Sequence, residues 1–158
     1  MILFLFRWDL LLEIALPILI LLGIIISGSI LSIRKLHTNY KDLFRNQSKF
    51  DIELRKTSNL MSKLIGNESL NKYQDVVIKE LPYEEKKTLL ELIQTLMQTV
   101  DKTDDINRYL VETFDHLEEL RLILDSKILS FNQLISIFPF SIYARILKFQ
   151  KLPYYSHK

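Results

Sequence analysis

The chain has 158 residues, of which 48% are hydrophobic and 25% are charged, and its formal net charge is +2. That many apolar side chains offset the chain entropy lost on folding, which excludes a disordered protein, and the length allows one domain of ordinary size besides an anchor. Nucleic acid is a poor candidate partner because the basic residues are spread among acidic ones, and the absence of cysteine excludes disulfides, a thiolate nucleophile and cysteine metal sites.

The first element is an apolar stretch, residues 14–33, in which all twenty positions are uncharged and most are aliphatic. It is long enough for one helix across the roughly 30 Å apolar core of a bilayer, so it predicts a transmembrane helix in contact with membrane lipid. It divides a short N-terminal segment, residues 1–13, from a water-facing domain, residues 34–158. Basic residues cluster after the span, which predicts an external N-terminus and a cytoplasmic domain.

Two alternatives remain open for this stretch. A signal peptide could be cleaved at the small residues Ser27, Gly28 and Ser29, which would release the domain outside the cell. A buried core helix is the other, although soluble domains rarely hold a helix of this length that is apolar all round. The small residues Gly23, Ser27 and Gly28 could also allow contact between neighbouring spans, so the oligomeric state is undetermined.

Apolar residues that recur every three or four positions predict two long helices. The first seam is Leu36, Tyr40, Leu43, Gln47, Phe50, Leu54, Thr57, Met61 and Leu64, and Gly66 and Asn67 predict its end. The second seam is Leu110, Phe114, Leu117, Arg121, Leu124, Ile128, Phe131, Ile135 and Phe138. Thr103, Asp104 and Asp105 predict its start and Pro139 its end.

Between these seams the sequence predicts two shorter helices, residues 69–81 and 83–100, joined at Pro82. Their lengths favour an all-α fold in which the transmembrane helix continues into an antiparallel bundle that runs out from the membrane, back and out again. A short C-terminal helix after Pro139 then lies at the end farthest from the bilayer. Residues 140–158 either cover that end or bind a protein partner there, and the candidate partner-binding residues are Tyr143, Arg145, Lys148, Phe149, Tyr154 and Tyr155. A helix on the membrane surface is disfavoured by this path.

Residues 131–155, FNQLISIFPFSIYARILKFQKLPYY, resemble the C-terminal signature of the LemA family. The matching positions are Phe131, Asn132, Phe138, Pro139, Ala144, Phe149, Tyr154 and Tyr155. Residues 51–65 resemble the first-helix motif of the same family, with Asp51, Leu54, Arg55, Lys56, Leu60 and Leu64 in register. Departures include Gln47 where the family often has Trp, Ser62 for Pro and Lys148 for Gly. The resemblance implies a membrane-anchored antiparallel helical domain without established enzymatic activity.

No catalytic, cofactor or metal site is predicted. The histidines His37, His116 and His157 are scattered, without a carboxylate at ligand spacing. Asp101, Asp104 and Asp105 lack the glycine turn and the distant Glu of a calcium loop, and Glu118 with Glu119 is expected to be an exposed patch. Asn132 is the polar residue of most interest, because its amide could cap backbone groups near the helix end or bind a partner.

Three functions are compatible with these observations. The preferred one is a single-pass membrane scaffold or protein-interaction module at the cell envelope, with an unidentified protein partner and no cofactor. The second is an enzyme or metal-dependent hydrolase whose site is not recognised, which a buried cluster of acidic or histidine side chains would support. The third is a secreted helical domain released by cleavage near Ser29.

Overall fold

The structure is a computed structural model that describes residues 2–74, 76–102 and 104–156, with the side chains from residue 13 onward. These residues form helices and no strand, so the all-α class and the long apolar N-terminal helix are confirmed. The elements are α1 (Ile2–Ile65), α2 (Glu68–Asn71), a 3-10 helix (Ile78–Glu80), α3 (Tyr83–Met97), α4 (Arg108–Leu134) and α5 (Phe140–Ile146).

Helix α1 runs for 64 residues and contains the apolar stretch. It ends as predicted, since Gly66 has φ +66° and its N–H donates to the Ser62 carbonyl at 3.0 Å, a left-handed helix end that glycine adopts without steric cost. By length and composition α1 could cross a membrane, and the side chains of its most apolar part are uncovered by the rest of the chain. Pro17 lies inside the helix rather than in its first turn, because the helix already begins at Ile2.

The chain divides into two compact units. Unit 1 combines α1 up to Asn39 with Gln133–Gln150, and unit 2 combines Tyr40–Asn132 with the tail from Lys151 onward. In unit 2 both predicted seams are largely buried, namely Leu43, Phe50, Leu54, Thr57 and Met61 on α1 and Leu110, Leu117, Leu124, Ile128 and Phe131 on α4. Arg121 interrupts the second seam at the edge of this core and pairs with Glu118 at 2.8 Å.

The predicted path out, back and out again is wrong in unit 2. Lys56 of α1 lies over the ring of Tyr109 near the start of α4, whereas Asp42 of α1 pairs at 2.7 Å with Lys127 near its end. Helix α4 therefore runs opposite to α1. Gln94 of α3 donates to Glu118 of α4 at 2.7 Å.

The return from the end of α1 uses little helix, which explains the error. Within the described part of the predicted helix, residues 69–74 and 76–81, helical structure is limited to α2 and the 3-10 turn. The described residues between α2 and the 3-10 helix form turns and a bend, and this short connection replaces the predicted helical layer. Helix α3 also ends at Met97 instead of Val100.

The boundaries of α4 differ from the prediction at both ends. It begins at Arg108, after a turn in which the Asp104 carboxylate accepts from the Ile106 N–H at 3.0 Å, and Thr103 lies outside the described residues. It ends at Leu134, before Pro139, and Phe138 of the predicted seam is exposed. The short helix after Pro139 is present as α5.

Candidate functional site

In unit 1, helix α5 docks on α1 through a bond between two hydroxyl groups. The Tyr143 Oη and the Ser29 Oγ lie 2.5 Å apart, and the same Ser29 Oγ donates to the Ile25 carbonyl at 2.6 Å. Because a serine hydroxyl has one proton, Tyr143 is the donor and Ser29 accepts. Two further contacts follow along α1: Lys35 lies over the Phe140 ring at 5.2 Å and His37 meets the Phe149 ring edge-on at 5.8 Å.

These contacts overturn the predicted position of the C-terminal helix. Helix α5 lies beside residues 29–37 of α1, at the end of the apolar stretch, instead of at the end of the bundle near Gly66. The prediction depended on α4 running away from the membrane. Because α4 runs opposite to α1 in unit 2, that premise fails.

The covered face of α1 in unit 1 includes Ser29, which sequence reasoning assigned to a possible cleavage site, Ser32, which it left unassigned, and Leu36 of the first seam. Ser29 is half-buried, and Ser32 and Leu36, three and seven residues later, are buried, as is Ala144 of α5. A Cβ added at Gly23 or Gly28 would meet no atom within 4 Å. The helical spacing of Ser29, Ser32 and Leu36 was the available signal for this face.

The structure divides the six predicted partner-binding residues between the units. In unit 1, Arg145 and Lys148 are exposed, and Tyr143 and Phe149 are half-buried. In unit 2, Tyr154 is half-buried and Tyr155 is buried. Lys148 has φ +59°, a left-handed conformation that favours glycine.

The tail of unit 2 is held by side chains of α4 that bind its backbone. Asn132 accepts from the Leu152 N–H at 2.9 Å and donates to the Leu152 carbonyl at 2.8 Å. The Asp125 carboxylate accepts from the N–H groups of Tyr155 and Ser156 at 2.8 and 2.9 Å. The Asn132 amide thus binds the tail instead of capping the end of its own helix.

The Tyr155 ring closes the packing around this tail. It lies against Phe50 of α1 at 4.8 Å and Tyr83 of α3 at 4.9 Å between ring centroids, and Tyr83 donates a hydrogen bond to the Tyr154 carbonyl. Burial raises the pKa of the Tyr155 phenol, and the nearby charge of Asp51 raises it further. The ring of Tyr155 therefore belongs to the core of unit 2.

A second polar contact in unit 2 is an ion pair inside the core. Lys86 of α3 donates to both oxygens of Asp51 of α1 at 2.9 Å, and their side chains are only 3% and 7% exposed. Burial raises the pKa of Asp51, whereas the hydrogen bond and charge of Lys86 act in the opposite direction. Sequence reasoning missed Lys86; its place three and seven residues before Leu89 and Ile93 on the buried face of α3 was the available signal.

The family-motif positions differ in burial. Asp51, Leu54, Phe131, Asn132 and Ala144 are buried, Leu60, Pro139 and Phe149 are half-buried, and Leu64 and Phe138 are exposed. Phe131 and Tyr155 therefore pack in the core, and Asn132 binds the tail to α4. The exposed Phe138 has no such role in the core.

The interior of unit 2 is not uniformly apolar, since Asp51 and Asp125 are buried in it. Their oxygens accept from Lys86 and from backbone N–H groups, respectively. Among the described residues, no group of three histidine or acidic side chains could hold a metal ion. Asp101, Asp104 and Asp105 are exposed in the turn before α4, His116 lies 3.5 Å from Glu119, and His157 lies outside the described residues.

The prediction that Glu118 belongs to an exposed patch is wrong. It accepts from Gln94 of α3 and pairs with Arg121, which places it half-buried at the contact between α3 and α4.

Beside the tail, a groove of about 730 Å³ is lined by Tyr83, Glu84, Lys87, Leu129, Pro153, Tyr154 and Ser156. Comparison of the chain with protein-family models, curated proteins and solved structures finds no match.

Proposed function

We propose that this chain is a single-pass membrane protein that holds other proteins at the cell envelope. Residues 14–33 lie in the bilayer, residues 1–13 outside, and residues 34–158 form a cytoplasmic antiparallel bundle of the LemA type. The observation that carries the membrane attachment is the uncovered apolar part of α1, in which large side chains such as Leu16 and Ile24 are more than half exposed. A bilayer removes such side chains from water without any protein cover.

The proposed role is binding rather than catalysis. The buried carboxylates of Asp51 and Asp125 are occupied in bonds that hold α3 and the tail. The tail also forms one wall of the groove, where Tyr154 and Leu129 present apolar surface between Glu84 and Lys87. Aromatic and aliphatic side chains framed by charged ones are typical of protein contact surfaces.

Membrane attachment and orientation are tested by protease digestion of the full chain in sealed vesicles of both orientations. We expect residues beyond Leu36 to be digested only when the protease is on the cytoplasmic side. Digestion only from the outer side would overturn the orientation. A mature chain that lacks residues 14–33 and is found free in solution would overturn the anchor and favour the secreted alternative.

Partner binding is tested with a photo-crosslinking amino acid placed at Leu129 or Arg145 in living cells. We expect a reproducible protein adduct from at least one site and none from Ile106, a control position in unit 2 that is 72% exposed. Tyr154→Ala should weaken capture at Leu129, because it removes one wall of the groove. If neither site captures a protein, the scaffold role is contradicted.

A further inference from the structure

An apolar face is uncovered on unit 1 where α4 ends and α5 begins. We call Ile137, Phe138, Ile142 and Ile146 the α5 face; their exposed fractions are 58%, 76%, 50% and 69%. Ile142 and Ile146 are four residues apart on α5 and so lie on one side of it, and the other two belong to the turn just before the helix. A clustered apolar surface of this kind marks an interaction site more often than isolated exposed side chains do.

The hydrogen bond between the Tyr143 and Ser29 hydroxyls fixes the level of this face along α1. Ser29, its acceptor, lies four residues before Ile33, or about 6 Å from the end of the apolar stretch at 1.5 Å per residue. At that level the α1 side chains Ile30 and Leu31 are themselves exposed. The α5 face and uncovered apolar side chains of α1 therefore lie at the same level within this unit.

Basic side chains accompany this surface. Arg34 and Lys35 follow the apolar stretch, and Arg145 and Lys148 are exposed on and after α5. Lys35 also lies over the Phe140 ring. Long basic side chains at the end of an apolar surface reach the anionic headgroups of lipids, and aromatic rings are enriched at the same depth.

We propose that the α5 face is a second membrane contact, with α5 lying in the boundary between headgroups and acyl chains of the leaflet on the domain side. Its binding partner is the lipid bilayer. The inference rests on the proposed function, because Ser29 sets the depth of α5 only when residues 14–33 span the membrane. Amphipathic helices in this position bury their apolar face about 5–10 Å into the boundary between headgroups and acyl chains, which matches a helix docked near the end of the span.

The test uses the absence of native cysteine, which makes every introduced cysteine a unique labelling site. The full chain carrying Ile142→Cys or Ile146→Cys is labelled with a polarity-sensitive fluorophore and reconstituted into vesicles of neutral and anionic phosphatidyl lipids. A lipid with a nitroxide high on its acyl chain serves as the quencher. Ile106→Cys is the matched control on unit 2, and Ile24→Cys reports on the span.

We expect strong loss of fluorescence at Ile142, Ile146 and Ile24, and little loss at Ile106. Quenching at Ile24 without quenching at either α5 site would overturn this inference and leave the membrane anchor intact, as expected if a protein covers the face. Lack of quenching at Ile24 would overturn the proposed anchor itself. Two labelled positions on α5 guard against a single substitution that disturbs docking.

Discussion

Asp125 binds the backbone of Tyr155 through one carboxylate oxygen, which accepts from its N–H at 2.8 Å, while the other oxygen accepts from the next residue. Asp125→Asn replaces one acceptor with an NH₂ group that faces a backbone N–H. We expect this to cost about 1–3 kcal/mol and to increase release of the tail roughly five-fold to more than a hundred-fold. The rate of chymotrypsin cleavage after Tyr155 in the full chain measures that release.

The matched control is Asp115→Asn on the exposed side of α4. It should leave the cleavage rate unchanged. Equal rates in wild type and Asp125→Asn would show that the carboxylate does not hold the tail.

The buried ion pair predicts non-additive changes in stability. Lys86→Met leaves the Asp51 carboxylate buried without its partner, which costs about 3–5 kcal/mol, whereas Asp51→Leu combined with Lys86→Met removes both charges and should cost less than Lys86→Met alone. Thermal unfolding of the full chain in detergent, followed by circular dichroism, measures both. As a control, Glu112→Gln breaks the exposed pair with Arg108 and should change stability by less than about 0.5 kcal/mol. A double variant that loses as much stability as Lys86→Met alone, or more, would contradict the coupling.

The raised pKa of Tyr155 predicts loss of stability in alkali. The unfolded phenol ionises near pH 10.0, whereas the folded one keeps its proton at that pH. The free energy of unfolding should therefore be insensitive to this group below pH 10.0 and fall above it, by up to about 1.4 kcal/mol per pH unit. Tyr155→Phe should reduce this slope, and only in part, because burial also raises the pKa of Tyr83. An unchanged slope in Tyr155→Phe would refute the assignment.

The hydroxyl bond in unit 1 predicts an asymmetry between its two partners. Tyr143→Phe leaves Ser29 bonded to the Ile25 carbonyl, whereas Ser29→Ala leaves the Tyr143 O–H without its acceptor. Both changes should loosen α5, by roughly 0.6–2 kcal/mol, and Ser29→Ala should loosen it more. Trypsin cleavage after Lys148 in vesicles reports on docking. Faster cleavage in Tyr143→Phe than in Ser29→Ala would reverse the assigned donor.

The backbone at Lys148 predicts a side-chain preference. A left-handed φ is unfavourable for β-branched residues and cost-free for glycine, so Lys148→Gly should unfold at the same temperature as wild type or slightly above it, and Lys148→Val below it. The difference between the two variants should be about 1–2 kcal/mol. Thermal unfolding in detergent measures it, and equal stability of both variants would contradict a left-handed Lys148.

Sequence periodicity was sufficient for the long helices and their buried seams, because a helix that buries one side must repeat apolar residues every three or four positions. The stop at Gly66 followed from the preference of glycine for positive φ. The path between helices was not predictable in this way, since residues 72–77 have neither periodicity nor a strong breaker that distinguishes a turn from a helix. The site was missed for a related reason: Lys86 and Ser29 act through partners far away in the chain.

The bonds from Asp125 and Asn132 to residues 152–156 also order the steps of biosynthesis. Phe50 and Tyr83 gain their contact with Tyr155 only after translation has passed that residue, when the apolar stretch has long since left the ribosome. In the proposed single-pass arrangement, insertion into lipid therefore precedes the final closure of unit 2. A nascent chain stalled before Leu152 lacks the residues that bind Asp125 and Asn132, so its core around Phe50 and Tyr83 stays open.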